Sequence, residues 1–181
     1  MKRMTLEKVK ELNPGLNSKL FMPNSRITLE RMEERPIKDW LRFISNEYMI
    51  KKVESLVLIP CSFYKPYDPP RDEFYKRIHK LKKKLSKVKF ITVSVPLALE
   101  PEEYWNFQWR GHNLIYDCPF FPWIEKFGYR WDQQIAKRVL SKLKKVIDCF
   151  FKRNGGRYQR VLAFFIPGSD ELDLVREYAD Y

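Results

Sequence analysis

Four largely apolar runs recur along the chain, at residues 56–59, 88–95, 114–118 and 161–166. Runs of that length without polar alternation, rich in β-branched members, predict strands buried on both faces. Each run halts at a proline: Pro60, Pro96, Pro119 and Pro167. Proline has no N–H to donate to a ladder, so each marks the place where pairing ends and a loop begins. The segments between the runs are long enough for crossovers. The expected sheet therefore has four parallel strands, beginning near Leu56, Val88, Leu114 and Val161, with their loops on one edge.

Between the strands the apolar period changes to that of a helix. Pro36 opens one helix, whose stripe is Ile37, Leu41, Ile44 and Tyr48. Asp72-Glu73 begin a second. Its Phe74, Ile78, Leu81 and Leu85 fall within a narrow arc and are expected to face the core, while Lys76, Lys80, Lys83 and Lys84 point elsewhere. A short helix is expected from Glu100-Pro101-Glu102-Glu103 onward. Asp132 caps the longest helix, with Ile135, Val139, Leu143, Val146, Ile147 and Phe150 on one face and Asn154-Gly155-Gly156 after its end. Gly168-Ser169-Asp170 starts a terminal helix. Residues 1–28 hold a short helical pattern (Leu6, Val9, Leu12) and the turn Asn13-Pro14-Gly15, and are expected to form an arm. Residues 29–181 are expected to form a single three-layer α/β/α domain.

Composition narrows the class. Hydrophobic residues make up 44% of the 181 and aromatics 15%, which excludes a disordered chain. No apolar run approaches the roughly 20 residues needed to span a bilayer. The start, Met1-Lys2-Arg3-Met4-Thr5-Leu6-Glu7, lacks the apolar region of a secretory signal. Cys61, Cys118 and Cys149 are an odd count without CxxC spacing, so neither a disulfide framework nor a zinc knuckle is expected, and a cytoplasmic location is. His79 and His112 lack a paired-ligand pattern, and GxGxxG and GxxxxGK[ST] are absent, so no metal and no nucleotide cofactor are expected.

Charge points to a partner. Thirty-five Lys plus Arg against 23 Asp plus Glu give a net +12, which suits a polyanion. The excess is local: residues 76–89 hold eight basic residues and no acidic one, whereas 170–181 is net acidic. Lys76, Lys80, Lys83 and Lys84 are candidate RNA contacts, and a solvated lysine-rich face is the alternative.

Candidate chemistry concentrates after the first strand, in Pro60-Cys61-Ser62-Phe63-Tyr64-Lys65-Pro66-Tyr67. Open α/β sheets bind ligands at the carboxyl ends of their strands, and this loop offers a thiol, a hydroxyl, an amine and two phenols. Cys61 is a nucleophile with Lys65 lowering its pKa, or a small buried thiol. Ser62 contacts a substrate or caps a turn, and Lys65 otherwise stands as a solvated cation. Tyr67 stacks on a base or packs between prolines. Asp117 orients a base or an amine, or bonds a loop amide. Trp123, Tyr129 and Trp131 form a stacking wall for an extruded nucleotide, or core.

Pro60-Cys61-Ser62 followed by Lys65-Pro66-Tyr67 resembles the P-C-S-x-x-K-P-Y signature of archaeosine synthase, the archaeal tRNA-modifying relative of tRNA-guanine transglycosylase. Pro96-Leu97-Ala98-Leu99-Glu100-Pro101 is similar to that family's proline-leucine-glycine-leucine segment, with alanine in place of glycine. Tyr116-Asp117-Cys118-Pro119 resembles its tyrosine-aspartate-x-proline step, and Trp131-Asp132 the tryptophan-aspartate before its next helix. The matches span about residues 53–167, in order. The resemblance implies a fold like that of uracil-DNA glycosylases, a parallel sheet between helices. It also implies addition of an amine to the nitrile of 7-cyano-7-deazaguanine in tRNA. Cys61, Lys65 and Asp117 would then be catalytic, and Ser62, Tyr67, Pro96, Leu97 and Trp131 would contact substrate.

The family's RNA-binding PUA and transglycosylase-like domains are not among these residues, so a separate subunit carrying one of them is an expected partner beside tRNA. Where the family has a serine-rich stretch ending in histidine, this chain has Asp68-Pro69-Pro70-Arg71-Asp72. A non-catalytic RNA-binding or scaffolding module of the same fold is therefore the alternative. Base excision on DNA ranks lowest, because the last loop, Pro167-Gly168-Ser169-Asp170, has no histidine.

Overall fold

The computed structural model describes residues 5–180, apart from the side chains of Trp123 and Phe127, so the sequence readings of Met1–Met4 and Trp123 lie outside the described residues. In chain order the helices and strands are α1 (Leu6–Leu12), α2 (Ser25–Arg31), α3 (Ile37–Asn46), β1 (Ser55–Pro60), α4 (Glu73–Lys82), β2 (Val88–Ser94), β3 (Ala98–Pro101), β4 (Gln108–Trp109), β5 (His112–Asn113), α5 (Gln133–Asn154), β6 (Arg160–Ala163) and α6 (Asp170–Val175). Four strands form the main sheet in the order β3-β2-β1-β6, and β4 and β5 form a small ribbon. β1 runs parallel to β2 on one side and to β6 on the other.

The sheet is mixed, not all-parallel as expected, because β3 pairs antiparallel with β2. Only Val95, Pro96 and Leu97 separate the two strands, a hairpin-length turn far too short for a crossover. The expected strand at Leu114 is likewise corrected. Residues 114–117 are extended and buried, but their backbone pairs with the N-terminal segment: Asn17 N donates to Ile115 O, Asp117 N to Leu20 O and Met22 N to Asp117 O. The apolar run reports burial there, and residues 17–22 together with Phe107 and Asn113 pair its backbone groups.

Val9, Leu20 and Met22 enter the main core together with the buried stripes of α3 and α5. Asp132 caps α5 by accepting from Ile135 N at 3.0 Å, and Ala136, Val139, Leu143, Ile147 and Phe150 are buried along it. The β1–α4–β2 crossover moves one strand one way, and the β2–α5–β6 crossover moves back past β1. Right-handed crossovers place α4 and α5 on opposite faces. α4 is attached chiefly through Tyr75, its fully buried residue, whose hydroxyl meets Thr92 Oγ1 at 2.7 Å and Pro60 O at 3.1 Å. Its expected core stripe is corrected: Ile78 is partly buried, but Phe74, Leu81 and Leu85 are exposed.

Candidate active site

Two neighbouring strands, β1 and β2, end at the same edge, and the loop after β1 folds back over it. The N-terminal segment pins this loop. Asn13 Oδ1 accepts from Lys65 N at 2.9 Å, and Asn13 Nδ2 donates to Phe63 O at 2.9 Å. Ser62 donates to Asp72 Oδ2 and accepts from Tyr64 N at 3.1 Å, so its hydroxyl ties the loop to the first residue before α4. Asp72 also caps that helix, accepting from Tyr75 N at 2.7 Å.

Lys65 is buried, 4% exposed, and its position sets the electrostatics. Nζ donates to Ser62 O at 2.7 Å and sits 4.1 Å above the Tyr116 ring. The Lys65 charge also acts on the buried carboxyl of Glu100 on β3, which sits in a second polar group. Glu100 Oε1 accepts from Ser94 Oγ at 2.7 Å and from Tyr116 Oη at 2.9 Å. Burial raises the Glu100 carboxyl above the usual carboxylate range, and Lys65 and the hydroxyls oppose that shift. Asp117 is also raised by burial, with Lys65 opposing.

Cys61 is partly buried at the end of β1, and burial pushes its thiol up to about 12. The Lys65 charge lowers it, as the sequence pattern suggests, but desolvation wins. Cys118, whose Sγ lies 3.3 Å from Thr28 Oγ1, is likewise pushed up to about 12 by burial. Tyr67 is fully buried, stacked on Tyr75 with ring centroids 4.1 Å apart.

Cys61, Lys65 and Asp117 thus share one electrostatic neighbourhood with Glu100, Tyr67 and Tyr116. Pro96 and Leu97 are buried in the turn between β2 and β3, where Leu97 O accepts from Trp40 Nε1 at 2.9 Å. Trp131 makes its contacts near α5, edge-on to Phe120 and donating to Gln133 Oε1. Lys76, Lys80, Lys83 and Lys84 are exposed on and just after α4, and Lys76 pairs with Glu73 at 2.7 Å. Two residues of the neighbourhood carried no chemical signal in the sequence. Glu100 looks like a helix-start acid beside Glu102, and Asn13 looks like part of a turn. A buried strand carrying one acid, Ala98-Leu99-Glu100, was the only trace of the first.

Among the described residues no cluster of three or more His, Cys, Asp or Glu is arranged to hold a metal ion, and no helix is long and apolar enough to cross a membrane. Comparison with protein-family models, with curated proteins and with solved structures finds no significant match.

Proposed function

We propose that the chain is the catalytic core of a tRNA-modifying protein of the archaeosine-synthase kind, adding an amine to the nitrile of 7-cyano-7-deazaguanine in tRNA. The observation that carries this reading is the meeting of a thiol, an ammonium and two carboxyls with raised pKa at the carboxyl edge of β1 and β2. The Cys61 thiol would add across the C≡N bond, forming an S–C bond while its proton passes to the nitrile nitrogen, which gives a thioimide. The amine then adds to that carbon, the S–C bond breaks, and sulfur leaves with a proton as the amidine forms. Glu100 and Asp117 are the carboxyls at hand for these proton transfers, and Lys65 opposes the desolvation that keeps sulfur protonated.

A fold like that of uracil-DNA glycosylases belongs to the same proposal. The parallel strands β2, β1 and β6 with their loops on one edge support it, and the antiparallel β3 departs from it. The proposed RNA contacts are Lys76, Lys80, Lys83 and Lys84, and a separate RNA-binding or transglycosylase-like subunit would complete the enzyme. Three free cysteines support a cytoplasmic setting.

Mass spectrometry of tRNA from cells lacking the protein tests the reading. The nitrile base should accumulate and its amidine product disappear; an unchanged set of 7-deazaguanine nucleosides overturns it. A second reading, a non-catalytic RNA-binding module, is favoured by the neutral Cys61 thiol and by Tyr67 already stacked on Tyr75. Intact mass after incubation with 7-cyano-7-deazaguanine separates the two. The enzyme gains the ligand's mass through Cys61 and Cys61→Ser does not, whereas a binding module gains nothing in either form.

A further inference from the structure

One face of the main sheet is only half covered. Register decides which side chains share that face: Val57 lies level with Phe90 on β2 and with Leu162 on β6, and Ile59 lies level with Thr92. Thr92 bonds Tyr75 of α4, so Val57, Leu162 and, two residues on, Phe164 all belong to the α4 face. Exposure rises across it. Phe90 and Val57 are buried, Leu162 is partly buried, and Phe164 is 59% exposed.

α4 has a matching bare flank. At about 100° per residue, Phe74 and Leu81 align on one line of the helix, about a quarter-turn from the buried Tyr75, and Leu85 follows just after the helix ends. They are 42%, 44% and 37% exposed. His79, on the other side of Tyr75, meets Tyr67 O, and Lys82 meets Glu102 and the Trp105 ring, so that side looks toward β3. A right-handed β1–α4–β2 crossover then turns the Phe74–Leu81 line toward β6. The exposed apolar residues of α4 and Phe164, just after β6, are thus the two walls of a shallow trough over β1, whose Val57 and Ile59 are buried beneath.

Charge selects the occupant. Arg77 follows the apolar line on its solvent side, and Lys80 stands one step further round. Arg160, on the same face of β6, holds Ser55 Oγ at 2.9 Å and is exposed. The walls, Phe74, Leu81 and Phe164, are apolar, the open place beside α4 is that of one more helix in the layer, and the rim is basic on both sides. We propose that this trough docks an amphipathic helix of a partner protein, its leucine- or isoleucine-rich face on Phe74, Leu81 and Phe164 and its acidic flanks on Arg77 and Arg160. The docked helix would complete the helical layer over β1 and β6. The inference stands apart from the chemistry at Cys61.

The test uses the full chain and labelled synthetic helical peptides of about 18 residues, some 27 Å long. One carries a Leu/Ile stripe flanked by Glu, the other the same stripe flanked by Lys. By fluorescence anisotropy the Glu-flanked peptide should bind at least about tenfold tighter, and raised salt should weaken it. It should also slow hydrogen exchange in α4 and β6. Leu81→Gln and Phe164→Gln should each weaken binding about tenfold with an unchanged melting temperature, since both side chains are exposed. Equal binding of the two peptides, no binding, or indifference to both substitutions overturns the proposal. So does anionic-vesicle binding, tRNA binding or self-association of the chain that the same substitutions abolish, since each would assign the trough to a membrane, to RNA or to a second copy.

Discussion

A thiol reacts through its ionised fraction, and Cys61 is held neutral by burial with its pKa near 12. Iodoacetamide at about pH 8, near the ordinary thiol pKa, should therefore label the exposed Cys149 first and spare Cys61 and Cys118, as peptide mapping would show. Rapid labelling of Cys61 in the folded protein would contradict that ordering. The linkage has a definite sign. Both buried thiols have folded pKa values above the unfolded one, so their contribution to stability is complete below about pH 8.5 and is lost as pH rises toward about 12. Glu100 behaves alike at lower pH. Its raised carboxyl stabilises the fold below its usual value of 4.5, and that contribution is lost as pH rises through the folded pKa. Glu100→Gln should flatten this dependence in urea melts. Glu100→Ala leaves the Ser94 and Tyr116 hydroxyls without their acceptor and should cost about 1–3 kcal/mol, and a smaller loss than for Gln would remove the carboxyl from the core's hydrogen bonding.

At the scale of elements, Asp72 links the site loop to α4. Asp72→Ala removes the cap and the partner of Ser62, so a loss of about 1 kcal/mol is expected in denaturant, with faster exchange of the first amides of α4. Replacing Lys76, Lys80, Lys83 and Lys84 with Gln should leave stability unchanged while lowering the salt slope of tRNA binding by about 0.7–0.9 for each phosphate no longer neutralised. An unaltered slope would assign these lysines to solubility. The elements differ in how plainly the chain announces them. β1 and β2 are largely apolar runs, and α5 has a capped stripe, so period and burial agree; the run at 161–166 does not, since β6 ends at Ala163 on the sheet's edge and Phe164 and Ile166 are exposed. β3 hides because Pro96 looks like an ending when it sits inside a hairpin turn, and because Glu100 breaks the apolar pattern while remaining buried. The helix of α4 is legible but its orientation is not. Periodicity identifies the apolar line, and only tertiary packing decides that Tyr75 rather than that line faces inward. The loop of Cys61, Ser62 and Lys65 was legible from composition, whereas the approach of Asn13 and Glu100 depends on long-range pairing that no local pattern encodes.

For the whole molecule, the N-terminal segment is a structural part of the site. Asn13→Ala should loosen the loop that holds Lys65, and the expected signature is faster hydrogen exchange at Lys65 with little change in the exchange of β1. Equal protection at Lys65 in both forms would mean that the loop holds itself. The far border of the sheet is closed by another distant segment. Asp180 N donates to Val161 O at 2.8 Å, and Asp180 Oδ2 accepts from Val161 N at 2.6 Å, so both outward-facing backbone groups of Val161 are occupied. A bare strand edge is a template on which other chains can add strands, and the Asp180 carboxylate here acts as a selvedge against that growth. Trimming the last three residues should therefore show itself in storage: concentrated protein that stays clear when whole should slowly acquire thioflavin-binding fibrils once clipped, long before its enzymatic or binding properties change.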